Sequence, residues 1–159
     1  RARRYQQKFA VMFLDLDGFK RVNDEFGHHA GDCLLKMAAE RLAVSARDMD
    51  TVARVGGDEF IFILNNIDHA DNVALVANKI LESLSRPFVV QGNTCSIGCS
   101  IGISIFPDDT DDAEALIKMA DDAMYMAKKD GRNNYQFFNA QQGTASPIHQ
   151  GVLPIKFPG

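Results

Sequence analysis

Thr51-Val52-Ala53-Arg54-Val55-Gly56-Gly57-Asp58-Glu59-Phe60-Ile61-Phe62-Ile63-Leu64 is the stretch on which the fold turns. Two β-prone runs flank a glycine pair, which predicts a hairpin with acids at its tip. Glycine takes positive φ at little cost, so Gly56 and Gly57 allow a tight reversal. Gly and Asp are also ordinary turn formers. The hairpin alone therefore leaves two readings open, a solvated turn and a metal or phosphate site at Asp58 and Glu59.

A second acidic cluster shifts that balance. Lys8 to Leu14 is a nearly continuous apolar run, as a buried central strand requires. It ends in Asp15-Leu16-Asp17-Gly18-Phe19-Lys20. A carboxylate at the end of a buried strand is costly unless something compensates it. Two strand ends that both carry acids point to a shared Mg²⁺, an ion that prefers oxygen ligands and substrate phosphates. The alternative is an exposed strand end with unrelated turn acids. A calcium-binding EF-hand loop is excluded by counting from Asp15, because Lys20 stands where that loop needs Gly and Phe26 where it needs Glu.

The rest of the chain reads as alternating helices and strands. Residues 18–26 suit a short helix, and Ala30, Leu34, Ala38 and Leu42 form an i+4 stripe on a longer one. Val73, Val76, Ala77, Ile80 and Leu84 mark another helix, ended by Pro87. Gln91-Gly92-Asn93 suits a hairpin turn before a strand predicted over 94–106. Cys95, Ile97, Cys99, Ile101, Ile103 and Ile105 share one face of that strand, and Ser96, Gly98, Ser100, Gly102 and Ser104 share the other. Leu116, Met119, Ala120, Ala123, Met124 and Ala127 stripe a last long helix with Gly131 as its stop. A strand near 134–138 completes the order β-α-α-β-β-α-β-β-α-β. That order predicts an α+β fold, a mixed central sheet flanked by helices.

At 159 residues and 46% apolar, the chain suffices for one domain with a substantial core. Its net charge of −4, with interspersed signs, argues against a nucleic-acid or anionic-membrane surface. A nucleotide ligand stays open, since a divalent ion offsets phosphate against carboxylate. Cys33, Cys95 and Cys99 form no metal pattern, and the last two read as buried small hydrophobes in a reducing compartment. No apolar run approaches a membrane span.

Asp15-Leu16-Asp17-Gly18-Phe19-Lys20-x-x-Asn23-Asp24, Gly27-His28-x-x-Gly31-Asp32 and Arg54-x-Gly56-Gly57-Asp58-Glu59-Phe60, in that order, resemble the GGDEF family of bacterial diguanylate cyclases. Ser100 to Ser104 and the Ala120 to Asn133 block continue the resemblance, which runs from about Phe9 to Phe138. It implies a fold similar to the palm of nucleotidyl cyclases and polymerases, with the first strand beside the hairpin. Residues 1–140 are then expected to be the GGDEF domain and 141–159 a linker or tail of unknown role. The family's upstream Asp-x-Leu-Thr-Gly-Leu pattern is not in the sequence. A chain that starts at Arg1 directly before a core strand is expected to be a piece of a longer protein. Fused sensor domains are expected in the full protein, with a phosphodiesterase domain as a further candidate.

The resemblance implies condensation of two GTP molecules into cyclic di-GMP, a bacterial second messenger, with release of two pyrophosphates. The reaction would run across a homodimer with Mg²⁺ (or Mn²⁺), two ions per active site. Carried over by position, Asp15, the Leu16 carbonyl, Asp58 and Glu59 are the metal ligands, and Asp58 and Glu59 the catalytic acids. Gly18, Phe19, Lys20, Lys128 and Arg132 would hold phosphates, Gly56 and Gly57 admit the nucleotide, and Asn23 and Asp32 read guanine. Asp17 is expected either at the metal or in a structural hydrogen bond. Arg47-x-x-Asp50, five residues before Gly56, resembles the family's product-inhibition site; a surface ion pair is the other reading. The implied location is the cytoplasm or the cytoplasmic face of a longer membrane protein. The competing function is a catalytically silent GTP or cyclic di-GMP binding module that regulates a fused partner.

Overall fold

A computed structural model describes residues 7–140; the tail expected over 141–159 lies outside them. Strand β1 (Phe9–Asp17) is followed by helices α1 (Phe19–Phe26) and α2 (His28–Ser45). The hairpin β2 (Thr51–Gly56) and β3 (Glu59–Leu64) leads to α3 (Ala70–Ser85). Three strands follow, β4 (Phe88–Val90), β5 (Asn93–Cys95) and β6 (Gly98–Phe106), then α4 (Ala113–Lys129) and β7 (Tyr135–Phe137). The central sheet has the order β2-β3-β1-β6-β7, and β4 and β5 form a separate two-stranded sheet. All neighbours in the central sheet are antiparallel except β6 and β7, so the sheet is mixed, as the element order predicted.

The apolar run of β1 is explained by its place at the middle of that sheet, buried on both faces. Ala10, Met12, Leu14 and Leu16 face a core shared with α1, α2 and α3. Phe9, Val11 and Phe13 face a second core made with Leu116, Ala120 and Met124 of α4. The layers are thus three helices, a sheet, and one helix.

One expectation is corrected. The single strand predicted over 94–106 is two strands, broken at Ser96 and Ile97. Gln91 and Gly92 both take positive φ (50° and 80°), which closes β4 and β5 into a tight hairpin with Val90 opposite Asn93. The chain then bends into the central sheet as β6. Cys95 and Ile97 still face the same core as Cys99 to Ile105, so the alternation passed through the bend unbroken.

The small-residue face of β6 lies under α4. A Cβ on Gly102 would come within 1.9 Å of the Ala120 carbonyl oxygen and 2.1 Å of the Met124 nitrogen. Ser104 Oγ donates to the Leu116 carbonyl at 2.7 Å. Close packing of α4 brings its C-terminal end to the same rim of the sheet as the acidic end of β1.

Candidate functional site

The β1 register places Asp15 directly across from Glu59 on one side and Ser100 on the other. The Leu16 N–H donates to the Asp58 carbonyl at 3.1 Å, which ties the strand end to the hairpin turn. Gly57 opens that two-residue turn with φ 48°, a conformation that side chains strain to adopt. A Cβ on Gly56 or Gly57 would meet no protein atom within 4 Å, so the turn's outer side is open to an incoming group.

Asp15 is buried and forms an ion pair with Lys128 Nζ from the last turn of α4. Asp58 lies against Asp15. Its burial, then the Asp15 charge and their hydrogen bond, push the Asp58 carboxyl up to about 6, with Lys128 opposing the rise. Two adjacent acids and a lysine paired with one of them thus occupy one rim of the sheet. Among the described residues no three His, Cys, Asp or Glu side chains are grouped to hold a metal. Glu59 starts β3, one position beyond the turn, directly across the ladder from Asp15.

The backbone of Gly18 (φ 87°) caps α1 immediately after β1, so the N–H groups of Gly18, Phe19 and Lys20 begin a helix at this rim. The side chain of Lys20 is exposed. Arg132 is also exposed and follows the α4 stop, where its N–H donates to the Ala127 carbonyl at 3.0 Å.

Asn23 and Asp32 sit on α1 and α2. Asn23 packs against Gly31 so closely that a Cβ there would lie 1.7 Å from its Oδ1. That oxygen is buried and has no hydrogen-bond partner among the described residues. Asp32 opens onto a groove of about 570 Å³ between α2 and the hairpin, lined also by Leu35, Lys36, Val52, Arg54 and Phe60. Arg54 Nε donates to the Gly57 carbonyl at 2.8 Å, which links the groove to the turn. Lys36 and Arg54 were given no role from sequence. Their signals were present: Lys36 is one helical turn beyond Asp32, and Arg54 precedes the glycine pair.

Arg47 and Asp50 lie at the other end of β2, ~20 Å from the turn by strand geometry. Arg47 Nε and Nη2 make a bidentate pair with Asp50 at 3.0 and 2.9 Å. The Asp50 side chain is 0% exposed and the Arg47 side chain 47%. Burial opposes ionisation of Asp50. The Arg47 guanidinium, with N–H groups of Arg47 and Asn65, outweighs it and holds the carboxyl below its ordinary range. The surface ion pair foreseen as the other reading is therefore present.

Among the described residues no helix is long and apolar enough to cross a membrane. The sequence profile "Diguanylate cyclase, GGDEF domain" matches residues 1–134. The bifunctional diguanylate cyclase/cyclic di-GMP phosphodiesterase MucR of Pseudomonas aeruginosa is 45% identical over 137 residues, 86% of this chain and 20% of MucR. A solved EAL/GGDEF domain protein from M. capsulatus is 48% identical, with a TM-score of 0.79 over 86% of this chain and 88% of that one. The GGDEF domain of TpbB (YfiN) from P. aeruginosa gives a TM-score of 0.83 at 37% identity, covering 87% and 86% of the two chains. Since this chain spans 20% of MucR, the relative carries much beyond this domain. The order of acids, glycines and cations along the chain, their meeting at one rim, and these matches agree: the chain belongs to the GGDEF diguanylate cyclase family.

Proposed function

We propose that this domain is an active diguanylate cyclase that joins two GTP molecules into cyclic di-GMP across a homodimer. The observation that carries the proposal is the meeting of Asp15, Asp58 and Lys128 beside a groove that bears Asp32. Asp15, Asp58 and the Leu16 carbonyl would hold Mg²⁺ or Mn²⁺. Two adjacent carboxyls, one of them with raised proton affinity, form an oxygen donor set that a divalent cation relieves. When bound, such an ion neutralises phosphate charge and polarises the reacting oxygens. A second ion would draw on Glu59 and the phosphates.

The residues of the chain do the remaining work. The α1 N–H groups, Lys20, Lys128 and Arg132 bind the phosphates, and the open turn at Gly56 and Gly57 lets the nucleotide approach. Asp32 accepts from the guanine N1–H and 2-amino groups, and the Asn23 amide addresses the O6 side of the base. In each of two steps, a 3′-oxygen bonds to the α-phosphorus of the opposing GTP. The bond to the β-phosphate bridge breaks, pyrophosphate leaves, and the hydroxyl proton passes to the Asp58 carboxylate. Glu59 is the second acid of the motif. Feedback by product at Arg47 and Asp50 belongs to the same proposal, with the half-exposed guanidinium exchanging part of its hold on Asp50 for guanine or phosphate.

The test is chromatography of products from GTP and Mg²⁺, with the domain fused to a dimeric coiled coil. The parent is expected to make cyclic di-GMP, and Asp58→Ala to lose at least ~100-fold in rate, the scale of a missing base. Added cyclic di-GMP should slow the parent and spare Arg47→Ala. A parent that binds GTP or cyclic di-GMP without forming product would overturn the enzyme reading and leave a nucleotide-sensing module.

A further inference from the structure

Asp17 is the second acid of the β1 end, and the reaction described above makes no use of it. Both its carboxylate oxygens accept from Ser100 Oγ at 2.9 Å. Oδ2 also accepts from the Asn133 N–H at 2.9 Å. Asn133 in turn accepts from the Cys99 N–H at 3.3 Å through its own Oδ1, and its side chain packs on Gly98. Asp17 thus joins three segments far apart in sequence: the end of β1, the start of β6, and the loop after α4.

That loop is strained. Gly131, Arg132 and Asn133 take φ of 97°, 62° and 49°, so two consecutive non-glycine residues occupy the left-handed region. Such residues persist only where their surroundings over-determine them, and strain of this kind gathers at working sites. The surroundings here are specific. Asn134 Nδ2 donates to the Arg132 and Ala127 carbonyls, and Asp17 anchors Asn133. Arg132 is held between these two anchors, one turn beyond the Lys128 that pairs with Asp15.

We infer that Asp17 is a positioning residue, which clamps the loop after α4 through Asn133 and so fixes Arg132 relative to the Lys128–Asp15 pair. The phosphate role of Arg132 rests on the proposed function; the clamp itself does not. The two acids of the strand end then divide their tasks, Asp15 toward the metal and Asp17 toward the geometry of a cation.

Two readouts test this. Without nucleotide, amide exchange measured by NMR at Asn133 should speed up at least tenfold in Asp17→Ala. Binding is then measured calorimetrically for α,β-methylene GTP, which cannot release pyrophosphate, and for guanosine. Asp17→Ala is expected to bind the triphosphate about tenfold more weakly, the scale of one charged hydrogen bond, and guanosine unchanged. Arg132→Ala added to Asp17→Ala should cost little more, and Asp17→Asn, which keeps an acceptor for Asn133, should recover most of the loss. Ser100→Ala removes the hydroxyl that holds the Asp17 carboxylate in place and should move both readouts the same way, which keeps the test open if Asp17→Ala fails to fold. Unchanged Asn133 exchange, or additive losses in the double variant, would overturn the inference. So would a defect that Asp17→Asn reproduces and excess Mg²⁺ repairs, since that marks a metal ligand. A parent that binds neither compound would overturn the proposed function and the phosphate role together, while exchange at Asn133 still decides the clamp.

Discussion

Asp58 carries an electrostatic cost that the hairpin does not need for folding. Burial, and then the charge of Asp15, raise its carboxyl from an ordinary 3.8 to about 6. The folded state therefore binds more protons than the unfolded chain between those two values. Stability contributed through Asp58 is present below pH ~4, falls as pH rises through that window, and stays lost above it. Asp58→Asn removes the charge and keeps the shape. In chelator and without nucleotide it is expected to stabilise the domain by about 1 kcal/mol at pH 7.5, a figure reduced for the partly exposed side chain. At pH 4 the gain should vanish. Urea titrations at the two pH values measure both, and an equal effect at both would exclude the buried Asp58 charge as the cause. The same substitution should abolish cyclase activity, so stability and function pull in opposite directions at this residue. The acids were legible in sequence because they interrupt apolar strand ends, where carboxylates are expensive. For Asp17 a structural hydrogen bond was one of two readings, but its partner was hidden, since Asn133 is 116 positions away.

Among the elements, α4 on β6 shows how pattern and cause separate. The alternation of 98–106 revealed an apolar face and a small one, but not what the small face accommodates. It accommodates a helix backbone at Gly102, where an added Cβ would run into the Ala120 carbonyl and Met124 nitrogen. Backbone on both sides leaves no flexible group to move away. Gly102→Ala is therefore expected to cost about 3 kcal/mol, at the high end for overpacking. A shift of α4 should carry Lys128 away from Asp15, so GTP affinity should fall as well. Denaturant midpoints and nucleotide binding on Gly102→Ala check the two effects; an unchanged midpoint would mean that α4 sits farther from the sheet. The break between β5 and β6 was hidden because Ile97 keeps the parity of the strand through the bend. Arg41 was hidden for another reason. It donates to the carbonyls of Ser83, Arg86 and Pro87 and stacks 3.6 Å over the Phe88 ring, yet in sequence it is one more charge on a helix. Contacts made by long polar side chains across elements leave no periodic trace.

On the proposed reading, the domain as a whole presents one half of a reaction. Asp15, Asp58 and Lys128 meet at one rim, with Asp32 on the groove beside it, and together they would serve one nucleotide. The proposed attack of one GTP on another needs a second rim facing the first, which a two-fold arrangement of copies supplies. Turnover should then follow the population of dimer. For the isolated domain well below its dimerisation constant, the rate per mole of protein is expected to rise in proportion to protein concentration, so total rate rises as its square. The coiled-coil fusion should instead give a rate per mole that does not depend on concentration. Mixing gives a second arm: excess Asp58→Ala domain added to the fused parent should change little, whereas added to the free parent it should divert copies into mixed pairs and slow closure of the ring. Initial rates over a hundredfold range of protein, with dimer content followed by sedimentation, decide the matter. A constant rate per mole from a domain that sediments as a monomer would show that one copy holds both nucleotides, and the geometry of the rim would have to be assigned anew.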